Sequence, residues 1–187
     1  MVVVRRFGLL VYGLLVFGAS SVPDVASATS IVARTVPELT ELSSFVVEAT
    51  VGRQAAWMDA SGPIYTETSL TVQRYLKGSG PAQLSVTQRG GVVGEFRDII
   101  PGDMALRPGD RVVIFLQEKE GRLWSTLLGW SVFDVTGSGP TARVHRHASH
   151  MGLYRPSAEG YRPATPEQLA TPETLGQLVG AVTEVRR

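Results

Sequence analysis

Short apolar segments with period-two alternation, interrupted by glycine and proline, are the feature of this sequence that most constrains its fold. In the segment 64–76, Leu70 and Val72 alternate with Ser69 and Thr71, which predicts a strand with one buried face. Glycine- and proline-containing turns separate such segments, and no strand–helix–strand rhythm is present. Six strands are predicted in this way, over residues 45–52, 64–76, 82–88, 110–117, 122–128 and 129–135.

Strands in this number, each with an apolar face, usually close on themselves because open sheet edges promote aggregation. The predicted fold class is therefore mainly β, with a small five- to six-stranded barrel. An immunoglobulin-like sandwich is the alternative, but it calls for regular strand spacing and a tryptophan packed on a disulfide. Two adjacent apolar residues, Tyr75 and Leu76, predict a bulge near the end of the second strand.

A short helix is predicted on each side of the β region. Residues 36–42 begin with a proline and an acidic residue, a composition typical of a first helical turn. Residues 173–187 place apolar side chains at helical spacing, with Thr171 as the expected N-cap. The segment between the β region and the C-terminal helix, residues 141–172, has few aliphatic residues, four prolines and all three histidines, so it is expected to be extended. The predicted organisation is a signal peptide at 1–28, a β-barrel domain at 29–140, an extended segment at 141–172 and a C-terminal helix at 173–187.

The first 28 residues have the organisation of a cleavable secretory signal peptide. Two arginines precede an apolar run from Phe7 to Phe17, and the small residues Ala-Ser-Ala end at Ala28. The run has 11 residues, whereas a membrane-spanning helix needs roughly 20. An uncleaved anchor or a buried helix is the alternative, and cleavage near Ala19 is a second option. We therefore expect export to the periplasm or the extracellular space, without stable membrane insertion after cleavage.

Charge and cysteine content narrow the classes of function. Cleavage after Ala28 removes 28 of the 187 residues and reduces 18 basic and 17 acidic residues to 16 of each. A formally neutral mature chain argues against a nucleic-acid partner, which calls for a basic patch. The absence of cysteine excludes disulfides, thiol catalysis and a lipoprotein anchor.

Two short motifs carry a resemblance to known exported domains. They are Leu76-Lys77-Gly78 at the end of the second predicted strand and the run from Pro108-Gly109-Asp110 to Leu116. The order of the predicted strands and of these two motifs between residues 45 and 135 resembles that of a widespread type of exported bacterial domain. They are more distantly similar to the OB-like (oligonucleotide/oligosaccharide-binding-like) barrel of tissue inhibitors of metalloproteinases and netrin-like modules.

The resemblance implies an OB-like barrel and a non-catalytic role. It implies no inhibitory site, because those inhibitors use an N-terminal cysteine to reach the catalytic zinc. The expected mature chain begins at Thr29 and contains no cysteine.

The three histidines form the sharpest cluster of candidate ligands. His145, His147 and His150 lie within six residues, and three imidazoles at this spacing could meet one zinc or copper ion. The pattern is similar to the His-x-His-x-Asp-His run of metallo-β-lactamase-like hydrolases, with Ser149 in place of the aspartate. Chance clustering in a polar surface segment is the alternative, and it is the one favoured here.

Aromatic residues supply the other candidate site. Trp57 lies in a segment expected to be a polar turn, where its ring would be exposed for stacking on a ligand. Trp130 and Phe133 fall in a predicted strand and are expected in the core. Tyr65, Tyr75 and Trp124 are the other aromatic residues considered for ligand contact.

Catalytic patterns are weak by comparison. No Gly-x-Ser-x-Gly elbow occurs, and the paired carboxylates, such as Asp98 and Asp103, are expected to be solvated. We therefore predict an exported non-catalytic binding or accessory module, without a cofactor, that binds a protein partner in the cell envelope or outside the cell. The alternative is a metal-binding protein or metal-dependent hydrolase that uses the histidine cluster.

Overall fold

The structure, a computed structural model, describes residues 29–147 and 151–185. The predicted signal peptide and His150 lie outside the described residues. Within them are twelve strands, two α-helices and one 3-10 turn. In chain order these are β1 (Thr29–Val32), α1 (Val36–Leu42), β2 (Phe45–Met58), β3 (Ile64–Lys77), β4 (Gln83–Arg89), β5 (Gly91–Val93), β6 (Phe96–Asp98), β7 (Arg111–Lys119), β8 (Arg122–Gly129), β9 (Val132–Thr136), β10 (Arg143–Arg146), β11 (Met151–Ser157), β12 (Gly160–Pro163), the 3-10 turn (Glu167–Leu169) and α2 (Leu175–Glu184).

Seven of the strands form one sheet, in the order β10-β9-β7-β2-β3-β4-β8. The six strands predicted from the sequence are six members of this sheet, so the mainly β prediction is confirmed. β8 also pairs with β7, antiparallel from Leu116 opposite Ser125 to Lys119 opposite Arg122. The pairings therefore run from β7 through β2, β3, β4 and β8 and return to β7.

Side-chain alternation along β7 divides the core into two parts. Val113 and Phe115 pack with α1 and α2, whereas Val112, Ile114 and Leu116 pack inside the circuit of paired strands. All five residues are fully buried. A strand with both faces covered has a nearly continuous apolar sequence, which is why this run is the most apolar in the described chain.

The predicted bulge lies where β3 meets the start of β2. Val46 is opposite Lys77 and Val47 is opposite Tyr75, so Leu76 is the extra residue on β3. The additional residue lets both Tyr75 and Leu76 contact apolar neighbours, Tyr75 on the inner side and Leu76 beneath the helices. This prediction is confirmed.

The two helices begin at capping boxes. Thr35 caps α1 with Glu38, as the proline and glutamate in the sequence indicate. α2 is capped by Thr174 with Gln177, not by the expected Thr171. The later start follows from pairing, since Val144 N donates to the Glu173 carbonyl and holds the preceding residues in an extended conformation.

The segment 141–172, expected to be extended, contains three paired strands. β10 pairs with β9, while β11 pairs with β12 and, in parallel, with β1. Tertiary pairing overrides the weak local strand signal here, because β1 lies far away in the sequence. No helix in the described part of the chain is long and apolar enough to cross a membrane.

Candidate functional site

Three aromatic rings meet on one face of the main sheet. Trp57 and Tyr65 stack with ring centroids 5.7 Å apart, and Tyr65 meets Trp124 edge to face at 6.1 Å. The guanidinium of Arg122 lies 5.5 Å from the centre of the Trp57 ring. We call these four residues the aromatic surface. The three rings are half-buried, so part of each remains open to solvent.

Strand register explains why the rings meet. Trp57 on β2 is directly opposite Tyr65 on β3, and Trp124 on β8 is opposite Thr87 on β4. Directly opposed residues share a sheet face at about 5 Å between Cβ atoms. Trp57 is therefore in a strand, not in the polar turn expected from the sequence. Its polar segment forms a strand because the second half of β2 pairs with β3 up to Met58.

A short ordered turn borders the aromatic surface. Asp59 Oδ1 accepts hydrogen bonds from the backbone N of Ser61 at 2.9 Å and from its hydroxyl at 2.6 Å. These bonds, together with the nearby charge of Arg122, hold the pKa of the Asp59 carboxyl below its usual value. The surface therefore combines flat apolar rings with an arginine and a carboxylate at its margin. Such a combination suits stacking on side chains, sugars or other planar groups.

A second site collects the two described histidines. We call it the histidine pocket. It has a volume of about 470 Å³ and is lined by Asp103, Ala105, Arg107, Asp110, Asp134, His145, Arg146 and His147. His145 lies opposite Asp134 in the β9–β10 pair, and His147 comes two residues later, on the same side of the chain.

Three polar side chains in this pocket, those of Asp134, Arg146 and His147, each have a buried polar atom without a hydrogen-bond partner among the described residues; for Arg146 it is Nε. His147 Nε2 lies 2.7 Å from Asp134 Oδ2, within hydrogen-bonding distance. The other polar atoms of this pair, His147 Nδ1 and Asp134 Oδ1, are buried without a hydrogen-bond partner among the described residues. Buried polar atoms are hydrogen-bonded in the great majority of cases, so these atoms are positions where a water, an ion or a ligand would bind.

Burial perturbs two further groups in the histidine pocket. It raises the pKa of Asp103 from its usual 3.8 to about 6, with only a partial offset from the Met104 backbone N–H. It lowers the pKa of Arg146 to about 9. The Arg146 guanidinium lies between Trp130 and Phe133, 4.0 and 4.3 Å from their ring centres. Perturbed titratable groups of this kind cluster at functional sites.

The structure tests some of the residues singled out from the sequence. Trp130 and Phe133 are buried, as predicted. The expectation that Asp103 is solvated is wrong, because its carboxyl lines the histidine pocket and is partly buried there. The described residues contain no group of three or more histidine, cysteine, aspartate or glutamate side chains arranged to hold a metal ion. The proposed triad of His145, His147 and His150 stays a prediction, because His150 lies outside those residues.

The sequence pattern does not place two residues, Asp134 and Asp103, in the histidine pocket. Asp134 was not singled out, since only the β9–β10 pairing brings it beside His145 and His147. Asp103 was misplaced because the 99–110 connection lacks a periodic pattern that would show which side faces the interior. Comparisons with known proteins found no matching family model, and neither curated proteins nor solved structures gave a match. We therefore infer function from the geometry of these sites.

Proposed function

We propose that this chain is an exported, non-catalytic binding module that recognises a protein partner through the aromatic surface. The observation that carries the proposal is the contact of Trp57, Tyr65 and Trp124, which brings three strands' aromatic residues to one solvent-facing patch. Tryptophan, tyrosine and arginine are the residues most enriched at the energetic centres of protein interfaces. Arg122 completes this set.

The fold supports a binding role as well. We propose that β2, β3, β4, β7 and β8 form an OB-like barrel, since their pairings make a circuit of five strands. The order is that expected for such a barrel, with a parallel pair between β4 and β8. Barrels of this type bind ligands on one face and its adjoining loops. The aromatic surface lies beside the 59–63 turn and the 120–121 turn of this barrel.

Export and charge make a protein partner the favoured one. The leader at 1–28 predicts delivery to the periplasm or beyond. The mature chain is expected to be formally neutral, so electrostatic attraction to nucleic acid or to an anionic membrane is not its means of recognition. Recognition of a protein through stacked rings and one arginine needs no such attraction.

Affinity capture from envelope extract tests this proposal. The mature protein is immobilised beside a Trp57→Ala variant and a Tyr161→Ala control; Tyr161 is 66% exposed and lies on β12, in a different sheet. We expect a partner to be retained by the native protein and by the control, with its recovery reduced at least about tenfold by Trp57→Ala. Equal recovery by all three proteins, or recovery by none, would contradict the proposal.

The metal-binding alternative keeps one specific observation in its favour. A histidine that donates one ring N–H to a carboxylate, leaving its other nitrogen free, is the arrangement found around many protein metal sites. The His147–Asp134 contact has this form, and His147 Nδ1 has no hydrogen-bond partner among the described residues. Elemental analysis of the purified protein, with His145→Ala and His147→Ala as comparisons, would decide it. Stoichiometric metal lost in both variants would favour the alternative.

A further inference from the structure

A third pocket lies between the main sheet and α2, away from both sites described above. Its volume is about 480 Å³, within the range of pockets that hold small ligands. We call it the arginine pocket. Its lining combines charged residues of the sheet with apolar residues of α2 and the preceding loop: Glu48, Arg74 and Arg111 on one side, and Pro140, Leu175 and Val179 on the other.

The charged side of the pocket carries an excess of one positive charge. The side chain of Glu48 is only 6% exposed and accepts hydrogen bonds from Arg74 and Arg111. Burial alone would raise the pKa of Glu48, but these two guanidinium groups outweigh it and hold the pKa below its usual 4.5. One carboxylate therefore faces two guanidinium groups, and the excess charge matches a monoanion.

The two arginines differ in the donors they have left. Arg111 directs Nε and Nη2 to Glu48 and Nη1 to the Gly137 carbonyl at 2.8 Å, so each nitrogen of its guanidinium has a partner. Arg74 directs only Nη2 to Glu48, at 2.7 Å. Its Nε and Nη1 make no hydrogen bond to the described residues, and its side chain is 49% exposed. Arg74 is thus anchored by one nitrogen and open at the others.

The opposite wall of the pocket is apolar. Leu175 and Val179 come from α2, one turn apart, and Pro140 comes from the loop before it. The Gly176 backbone N–H, at the start of α2, already donates to the Pro140 carbonyl at 2.7 Å. The helix terminus is therefore not free to bind an anion through this group, and Arg74 is the available donor.

We propose that the arginine pocket binds a monocarboxylate attached to a compact apolar group. The carboxylate accepts hydrogen bonds from Arg74, and the apolar group packs on Leu175 and Val179. Hydrogen bonds from a guanidinium to a carboxylate are charge-assisted and about twice as strong as those between neutral groups. The same chemistry is offered by a small free acid and by the C-terminus of a peptide that ends in an apolar residue.

Calorimetric titration of the mature protein with two probes tests this proposal and separates the two sources. The probes are N-acetyl-leucine and the peptide N-acetyl-Ala-Ala-Leu, each compared with its C-terminal amide. We expect saturable binding of the acids, weakened at least about tenfold in the amides. Binding of both acids with similar affinity points to a small free acid. Much tighter binding of the peptide points to a protein C-terminus.

Two variants and a control locate the binding. Arg74→Gln should weaken binding of the acids at least about tenfold, because it removes the free guanidinium donors. Val179→Phe should abolish binding while every charge stays in place, because the larger side chain fills the apolar side. Arg53→Gln, which removes an exposed arginine of β2 outside the pocket, should bind as the native protein does.

Three results would overturn the proposal: no saturable binding of either acid, equal binding of acids and amides, or native affinity in Arg74→Gln. None of these results bears on the aromatic surface, which contains neither Arg74 nor Val179. The arginine pocket and the proposed protein-binding function are therefore tested separately.

Discussion

Replacing Asp103 by asparagine should make the protein more stable at neutral pH. The Asp103 carboxyl lines the histidine pocket and is partly buried there, and this burial raises its pKa from 3.8 to about 6. Asparagine has nearly the same shape, cannot ionise, and keeps an Oδ1 that can accept the 2.7 Å hydrogen bond from the Met104 backbone N–H. The substitution therefore removes a buried charge without removing its hydrogen bond.

The size and pH dependence of the stability gain in Asp103→Asn follow from the shift of the Asp103 pKa on folding. In the unfolded chain the carboxyl loses its proton near pH 4, whereas in the folded protein it does so near pH 6. Between these values the folded state binds more protons than the unfolded state, so the native protein loses stability as the pH rises. A shift of about 2 pKa units corresponds to about 3 kcal/mol. Above pH 6, Asp103→Asn should therefore have a higher free energy of unfolding than the native protein. Below pH 4 the two proteins should be equally stable.

Urea unfolding of the native protein and Asp103→Asn at pH 4, 5, 6, 7 and 8 measures this difference. Partial exposure of the carboxyl reduces the expected gain at pH 8 to about 2 kcal/mol. Glu95→Gln is the control, because it removes one negative charge from an exposed position just before β6 and so separates general charge effects from burial. A gain that is equal at pH 4 and pH 8, or a loss at pH 8, would refute the reasoning.

Three glycine and turn positions give further predictions, all measured by urea unfolding. Glu120→Asn should stabilise the protein by about 0.5–1 kcal/mol, because Glu120 has a φ of 55° in the two-residue β7–β8 turn and asparagine adopts a positive φ more readily. An unchanged midpoint of urea unfolding would contradict this. Gly129→Ala should destabilise by about 2 kcal/mol or more, since a Cβ would lie 2.9–3.1 Å from three backbone oxygens. Gly180→Ala, with nothing within 4 Å of its Cβ, should instead stabilise α2 by about 0.5–1 kcal/mol. The same sign for both glycine variants would be inconsistent with these contacts.

Local patterns in the sequence predict six of the seven strands of the main sheet, all except β10. The six strand segments were found because alternation, β-branched residues and turn residues act over short distances. Helix α1 is predicted for the same reason, since Pro37 and Glu38 mark its first turn locally, and Glu38 forms the capping box with Thr35. The bulge at Leu76 was found because an extra apolar residue breaks the period of two.

Pairings between distant segments could not be predicted. β1 lies parallel to β11, with Thr29 opposite Met151, and no local pattern in either strand reports this. The same limit applied to the sites. Ligand contact by Trp57 stays a prediction, and its neighbours Tyr65 and Trp124 join it only through the register of separate strands. Burial of Asp103 likewise depends on how a connection without periodicity folds back over the sheet.

Site-specific photo-crosslinking in the native cell most directly tests whether the aromatic surface binds a protein. A benzoylphenylalanine is placed at Arg89, an exposed position directly opposite Tyr65 on β4, and for comparison at Tyr161 on β12. We predict a defined crosslinked protein from position 89, absent from position 161 and lost when Trp57→Ala is combined with the crosslinker. No crosslinked protein from position 89, or one that persists in the Trp57→Ala variant, would contradict the proposed function.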